Sequence, residues 1–181
     1  MPPTMSPERV RASLWELATR LDARGVTAGI RVVGGAALSI LDEGRRATSD
    51  IDAVIVPGGV ADLVVSQMAE EHNLPSNWLN DAALAYIPPV GSEDWTPVIR
   101  HGQVEISIGS TQMLLAMKLR ANRGVRDSDD IDFLLEQCNV TTLDEAQEIY
   151  ERYHAQDVLS PAAEARVRDW LQRKRIADAR S

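Results

Sequence analysis

Two aspartates separated by one residue, Asp50 and Asp52, stand at the start of the apolar run 51–56. Side chains alternate along a strand, so both carboxylates are expected to point to the same side of it. Proteins commonly hold Mg²⁺ with one or two carboxylates, while water and substrate phosphates complete its octahedron. The spacing therefore predicts a site for Mg²⁺, or for Mn²⁺ in its place, and transfer chemistry on a nucleoside triphosphate (NTP).

A pair of glycines, Gly34 and Gly35, separates the β-branched run 30–33 from the helix-favouring run 36–41. This order predicts a strand, a tight turn and a helix, whose exposed N-terminal amides suit a triphosphate. Paired glycines alone usually mark only a turn, and an isolated Asp-x-Asp usually marks only the start of a strand. The two together predict one active-site unit.

The remaining pattern predicts the elements that must hold this unit. Proline, glycine and polar residues make 73–95 irregular, with one short strand near 83–87, and 97–100 with 103–108 form a hairpin. Capping signals and helical spacing predict further helices. The first two are an opening helix after Ser6 and a helix near 60–68. Four later helices are predicted over 111–122, over 129–137 beginning at Ser128, over 143–154 with a Thr142/Glu145 capping box, and after Ser160.

Composition favours one ordinary globular domain, since the chain has 181 residues, of which 44% are hydrophobic and 25% charged. The net charge of -8 argues against broad nucleic-acid binding, so a nucleic-acid partner would need a local basic patch, for which 118–126 and 166–175 are candidates. The second of these segments is more typical of a solvated helix face with ordinary charge pairing. Cys138 is the only cysteine, and no uncharged apolar run approaches the roughly 18 residues of a membrane span. We therefore expect a cytoplasmic protein with no membrane partner.

The glycine turn followed by Asp-x-Asp resembles the signature of the polymerase-beta-like nucleotidyltransferase superfamily. This resemblance implies an α/β (α+β) fold with a mixed sheet, flanking helices and a helical C-terminal part. We accordingly expect a single nucleotidyltransferase domain over 1–181, with a catalytic core over about 26–138 and the helical part over about 142–177.

Three segments, 46–52, 117–121 and 126–130, further resemble the AbiEii/MenT-type toxin nucleotidyltransferases and their uncharacterised relatives, and the likeness spans about 31–135. It implies a Mg²⁺-dependent transferase that is the toxin of a toxin–antitoxin pair and adds nucleotides to the 3′ end of tRNA. The implied partners are an NTP, tRNA and a cognate antitoxin.

The same resemblance assigns catalytic roles to Lys118 and Asp130, beside Asp50 and Asp52. Lys118 interrupts an apolar helix, where a charge either reaches water or points into a polar site, and it could place a positive charge on the phosphates. Asp130 would act as a base or orient Lys118. Acidic residues at a helix start are favourable whatever the function, so the pattern alone does not single out Asp130.

Further nucleotide contacts are expected from the turn and the loop before the aspartates. Many members of the superfamily have a serine where Gly35 stands, so backbone amides, or Thr48 and Ser49, must replace its hydroxyl, and Arg46 could assist as a cation. Glu105, on the polar face of its strand, is a candidate third metal ligand or simply a solvent-facing residue.

Other functions share parts of this pattern. A haloacid-dehalogenase-type phosphatase places Asp-x-Asp after its apolar strand, whereas here the apolar run 51–56 follows Asp50, which disfavours that chemistry. Two alternatives stay open: a transferase that modifies a small molecule such as an antibiotic, and a catalytically silent nucleotide-binding module.

Overall fold

The computed structural model describes residues 4–180, which form two compact units. The first unit comprises residues 4–87 with Gly91–Gly109, and the second comprises Pro88–Val90 with residues 110–180. Within these residues the fold is mixed α/β, with one five-stranded mixed sheet and seven α-helices, which confirms the predicted fold class. The longer segment of the second unit begins at Ser110.

The first unit contains the whole sheet. Its elements are α1 (Pro7–Asp22), β1 (Ala28–Val33), α2 (Gly34–Leu41), β2 (Ile51–Val56), α3 (Asp62–Glu71), β3 (Leu79–Asn80), β4 (Trp95–His101) and β5 (Val104–Gly109). Ser6 caps α1 by accepting a hydrogen bond from the Arg9 amide at 3.3 Å, as the Ser-Pro signal predicts.

The strand order is β3-β2-β1-β5-β4, with β1 at the centre. β1 is antiparallel to β2 and parallel to β5, β2 is parallel to β3, and β4 and β5 form the predicted hairpin. Because β1 and β2 run in opposite directions, the end of β1 lies beside the start of β2. The register pairs Val33 with Asp52, which brings the glycine turn to the aspartates.

Side-chain alternation separates a core face of the sheet from a more polar face. Ile30, Val32, Ile51 and Ile106 are fully buried, and complete burial of such a side chain contributes about 1.5–3 kcal/mol. Asp52 has the opposite parity to Ile51, so it points to the polar face. The hydrophobic pattern of β2 thus fixes the side on which the carboxylate lies.

The short strand predicted near 83–87 is wrong. Leu84–Tyr86 form a 3₁₀ turn, in which the Leu84 amide donates to the Asp81 carbonyl at 2.8 Å. The strand of this segment is β3, two residues long, and the contact that leads into it joins the Ile51 amide to the Trp78 carbonyl at 2.7 Å. The turn satisfies backbone groups locally, so residues 83–87 need no strand partner.

The second unit is helical, with α4 (Thr111–Ala121), α5 (Val125–Gln137), α6 (Leu143–Tyr153) and α7 (Pro161–Asp178). The Thr142/Glu145 capping box at the start of α6 is confirmed. The predicted start of the preceding helix at Ser128 is wrong, because α5 already begins after Gly124, whose φ of 63° allows the sharp entry. Among residues 4–180, no helix is both long and apolar enough to cross a membrane.

Candidate active site

The glycine turn lies directly against the second aspartate. Gly34 is the first residue of α2 and has a φ of +67°, a conformation that side chains with a Cβ atom rarely adopt. A Cβ atom at Gly34 would also lie 2.8 Å from Asp52 Oδ2, which is too close for a real contact. The φ favours glycine, and a Cβ atom would force the Asp52 carboxylate to move, so the turn and this carboxylate are fitted to each other.

Gly35 fits against the loop that precedes the aspartates. A Cβ atom there would lie 3.1 Å from Thr48 Oγ1. The loop is itself anchored by a two-way backbone bridge, in which the Met5 amide donates to the Thr48 carbonyl at 2.7 Å and the Thr48 amide donates back at 3.0 Å. The two glycines therefore allow the start of α2 to approach both the loop and β2.

Asp50 directly precedes β2 and Asp52 is the second residue of that strand, and both are half-buried. Ser49 Oγ donates to Asp50 Oδ1 at 3.0 Å, and Asn80 Nδ2 donates to Asp50 Oδ2 at 3.3 Å. Asn80 also stands opposite Asp52 in the β2–β3 register. The Asp52 carboxylate thus lies against the glycine turn, and the Asp50 carboxylate contacts Asn80.

The N-cap residue of α2 is Val33, whose side chain makes no capping hydrogen bond. Thr48 Oγ1 donates to the Asp50 carbonyl at 3.0 Å, and Ser49 Oγ donates to the carboxylate as described. Arg46 is exposed in the same loop. The structure therefore gives Thr48 and Ser49 local contacts within the loop, which position Asp50.

Glu105 is not brought to this cluster. Along β1 its partner is Gly29, whereas the partner of Asp52 is Val33, four residues further on. Four residues of strand span about 13 Å, which is too far for carboxylates to share one ion. Glu105 Oε2 instead accepts a hydrogen bond from Arg100 Nε at 2.8 Å in an exposed ion pair. The sheet register therefore favours the second interpretation of Glu105, as a solvent-facing strand residue, over a role as third metal ligand.

Lys118 lies in the second unit and is held there by two carboxylates. Its Nζ donates to Asp127 Oδ1 at 2.9 Å and to Asp130 Oδ2 at 2.8 Å, and only 11% of the Lys118 side chain is exposed. The predicted pairing partner Asp130 is thus in direct contact with Lys118. Asp127, which no sequence pattern distinguishes from its acidic neighbours, contacts Lys118 equally closely.

Asp127 is fully buried and accepts several hydrogen bonds. Burial alone would raise its pKa, but the Lys118 ammonium and the Arg123 amide, which donates to Oδ2 at 2.9 Å, outweigh that effect and lower the pKa to about 2. The carboxylate is therefore ionised at neutral pH and fixes the start of α5 to the Lys118 side chain.

A different set of side chains in the first unit is close enough to share a metal ion. The candidate ligand atoms of Glu16, Glu71 and His72 lie within 4.8 Å of one another. Arg20 already bridges the two glutamates, with 2.5 Å to each, and His72 Nε2 lies 2.9 Å from Glu16, lowering the Glu16 pKa chiefly by that hydrogen bond. This set is an ion-pair network that connects α1 and α3.

Asn80 and Asp127 contact candidate site residues although the sequence did not point to them: Asn80 contacts Asp50, and Asp127 contacts Lys118. Asn80 lies in a segment that the sequence predicts to be irregular, and a two-residue strand is too short to show alternation. Asp127 stood in an acidic cluster, in which nothing distinguished one carboxylate from its neighbours. Only the three-dimensional contacts select these two residues.

Comparisons with known proteins identify the family of the chain. Residues 11–175 match the family described as "Nucleotidyltransferase of unknown function (DUF6036)". No curated protein matches the chain. Among solved structures, it is similar to an antigenic nucleotidyltransferase-like protein from Paracoccidioides brasiliensis, with 15% identity, a TM-score of 0.53, and coverage of 98% of this chain and 94% of that one. That similarity shows a shared fold, and the family match shows that the chain belongs to this family of nucleotidyltransferases.

Proposed function

We propose that the chain transfers a nucleoside monophosphate from an NTP to an acceptor hydroxyl and releases pyrophosphate. The observation that carries this proposal is the approach of Gly34 to Asp52, where a Cβ atom would lie 2.8 Å from Oδ2. A helix N-terminus beside a carboxylate places amides that can bind phosphate next to an oxygen that can bind a cation. Membership of a nucleotidyltransferase family supports the same chemistry.

The donor set at the start of β2 fits Mg²⁺. Asp50 and Asp52 offer hard carboxylate oxygens, both half-buried, and the hydrogen bonds to Asp50 leave lone pairs on each oxygen. We assign the ion to these two residues. When bound, Mg²⁺ would neutralise phosphate charge and acidify the acceptor hydroxyl.

The residues of the first unit would bind and orient the triphosphate. The first amides of α2 would donate to phosphate oxygens, and the glycine at position 34 lets the start of the helix lie close to Asp52. In the reaction, the acceptor oxygen forms a bond to the α-phosphorus as the bond to the β-phosphate breaks, and the hydroxyl proton is released. The chain contributes mainly orientation and electrostatic stabilisation.

The proposed acceptor is the 3′ end of tRNA, and the proposed setting is a toxin–antitoxin pair in the cytoplasm. Both rest on the resemblance of 46–52, 117–121 and 126–130 to the AbiEii/MenT-type toxins. The catalytic roles suggested for Lys118 and Asp130 have the same basis. A small-molecule acceptor would use the same donor site, so the test must compare both kinds of acceptor.

The decisive experiment supplies each α-labelled NTP with Mg²⁺ and, in separate reactions, deacylated tRNA, total RNA or a panel of hydroxylated antibiotics. Label transfer and pyrophosphate release are measured for the natural chain, for Asp52→Asn, and for Asp62→Asn as a control at an exposed aspartate of the same unit. We expect transfer to tRNA, its loss in Asp52→Asn, and its retention in Asp62→Asn.

Full activity in a folded Asp52→Asn variant would refute the metal assignment. Transfer to an antibiotic alone would keep the donor chemistry and reject tRNA as the acceptor. A growth test checks the setting: induced expression should arrest cells, and Asp50→Ala should relieve the arrest. Harmless expression of an active enzyme would argue against a toxin.

A further inference from the structure

Both oxygens of the Asp50 carboxylate are held by neighbouring donors. Ser49 Oγ donates to Oδ1 at 3.0 Å, and Asn80 Nδ2 donates to Oδ2 at 3.3 Å. Ser49 is adjacent in sequence, whereas Asn80 is 30 residues away and reaches Asp50 only because β3 pairs with β2. The carboxylate is therefore fixed from two independent parts of the chain.

The orientation of the Asn80 amide is determined by its other contacts. Its Oδ1 accepts a hydrogen bond from the Ala82 amide at 3.0 Å, and its Nδ2 also donates to the Asn77 carbonyl at 3.2 Å. The oxygen is thus turned toward the following residues, and the nitrogen must face Asp50. Asn80 consequently acts as a donor to the carboxylate.

The pairing of the strands gives this contact its position in the site. Asn80 is the register partner of Asp52, and the Ile51 amide donates to the Trp78 carbonyl at 2.7 Å just before β3 begins. Asn80 therefore stands beside one aspartate and donates to the other. Such outer hydrogen bonds orient ligating carboxylates and tune metal affinity.

We propose that Asn80 is a positioning residue which, together with Ser49, fixes the Asp50 carboxylate for divalent cation binding and so sets the cation affinity. This inference rests on the proposed function in placing a cation at Asp50 and Asp52. Asn80 itself does not contact the cation. Its amide restricts rotation of the Asp50 carboxylate, and each oxygen keeps a lone pair for the ion.

The test measures Mn²⁺ binding by electron paramagnetic resonance, with no nucleotide present. We compare the natural chain with Asn80→Ala, Ser49→Ala and the double variant, and use Asn77→Ala as the matched control. Asn77 is exposed and contributes its main-chain carbonyl to Asn80, which the substitution retains. Asn80→Ala and Ser49→Ala should each weaken Mn²⁺ binding about 10-fold, the double variant should weaken it further, and Asn77→Ala should match the natural chain.

Circular dichroism at the assay temperature separates positioning from damage to the fold. A folded Asn80→Ala variant should regain transfer activity at high Mg²⁺, because the metal ligands are intact, whereas a merely structural defect would not respond to the ion. Ser49→Ala tests the same carboxylate without removing the Ala82 contact, so it decides the matter if Asn80→Ala does not fold.

The failure of this inference can be told apart from that of the proposed function. Loss of Mn²⁺ binding in Asp52→Asn, with unchanged affinity in Asn80→Ala and Ser49→Ala, would overturn the positioning role alone. Absence of Mn²⁺ binding in the natural chain, or unchanged binding in Asp52→Asn, would overturn both.

Discussion

Gly34 and Asp52 are so close that a Cβ atom on Gly34 would lie 2.8 Å from Asp52 Oδ2. The contact joins the end of β1 to the start of β2, which the antiparallel register places side by side. It explains why the glycine turn and the aspartates, separated along the chain, belong to one structure. It also makes the size of residue 34 a determinant of where the carboxylate points.

Substitution of Gly34 by alanine should therefore disturb the site as well as the backbone. The φ of +67° costs alanine about 1–2 kcal/mol of stability, and displacement of Asp52 should lower transfer activity about 100-fold or more. Gly25→Ala is the control for backbone strain alone, since Gly25 has a φ of +68° and open space around it. Gly58→Ala is a second control, at a glycine with neither a positive φ nor a close neighbour. Urea unfolding and transfer assays on the three variants check this prediction, and an active Gly34→Ala would contradict it.

The elements around the site were predictable where a local signal defined them. The apolar run 51–56 is bounded by Asp50 and Pro57, and β2 occupies those residues. The Thr142/Glu145 capping box likewise marks the start of α6. These signals depend on neighbours in sequence, so one chain is enough to read them.

The rest depended on pairing between distant segments. Alternation showed that Glu105 faces away from the core, but only the β1–β5 register shows how far along the sheet it stands from Asp52. Asn80 has no local pattern at all, because β3 is two residues long. Ser128 is a residue type that commonly caps a helix, but α5 begins earlier, directly after Gly124, which has a positive φ.

Removal of the Lys118 charge should destabilise the second unit. Lys118→Met would leave Asp127 and Asp130, whose side chains are 0% and 4% exposed, without their shared cation. Breaking a buried pair costs about 3–5 kcal/mol where the remaining charge has no other partner, and the loss here should be smaller than that, because Arg123 Nε stays 3.2 Å from Asp127 Oδ2. Lys174→Met is the matched control, because Lys174 and Glu136 form a more exposed pair that should contribute less than about 1 kcal/mol.

Urea unfolding followed by circular dichroism measures both Lys variants, and equal losses of stability would contradict the buried-pair argument. The same measurement must accompany any activity assay on Lys118. A Lys118 variant that is inactive because it is unfolded says nothing about contact with phosphate.

Stability should fall in acid partly through Asp127. Its pKa is lowered from 3.8 to about 2 in the folded state. The contribution of ionised Asp127 to folding stability is therefore complete above the pKa of the unfolded state, and it is lost as the pH falls through the pKa of the folded state. The shift corresponds to about 2 kcal/mol, lost between about pH 4 and about pH 2. From about pH 5 downward, the unfolding free energy should therefore fall less steeply in Asp127→Asn than in the natural chain. The control is Asp144→Asn, at an exposed residue of α6, whose unfolding free energy should depend on pH as it does in the natural chain. Parallel curves for all three proteins would refute the assignment.

Glu105→Gln should leave cation binding intact. The register places Glu105 four residues of strand away from the level of Asp52, and its carboxylate pairs with Arg100 at 2.8 Å. Loss of this exposed pair should lower stability by less than about 1 kcal/mol. Mn²⁺ affinity and the Mg²⁺ dependence of transfer should match those of the natural chain, whereas Asp50→Asn should weaken both. A loss of Mn²⁺ affinity in Glu105→Gln comparable to that in Asp50→Asn would mean that Glu105 reaches the ion, and that the strands pair differently from the register described.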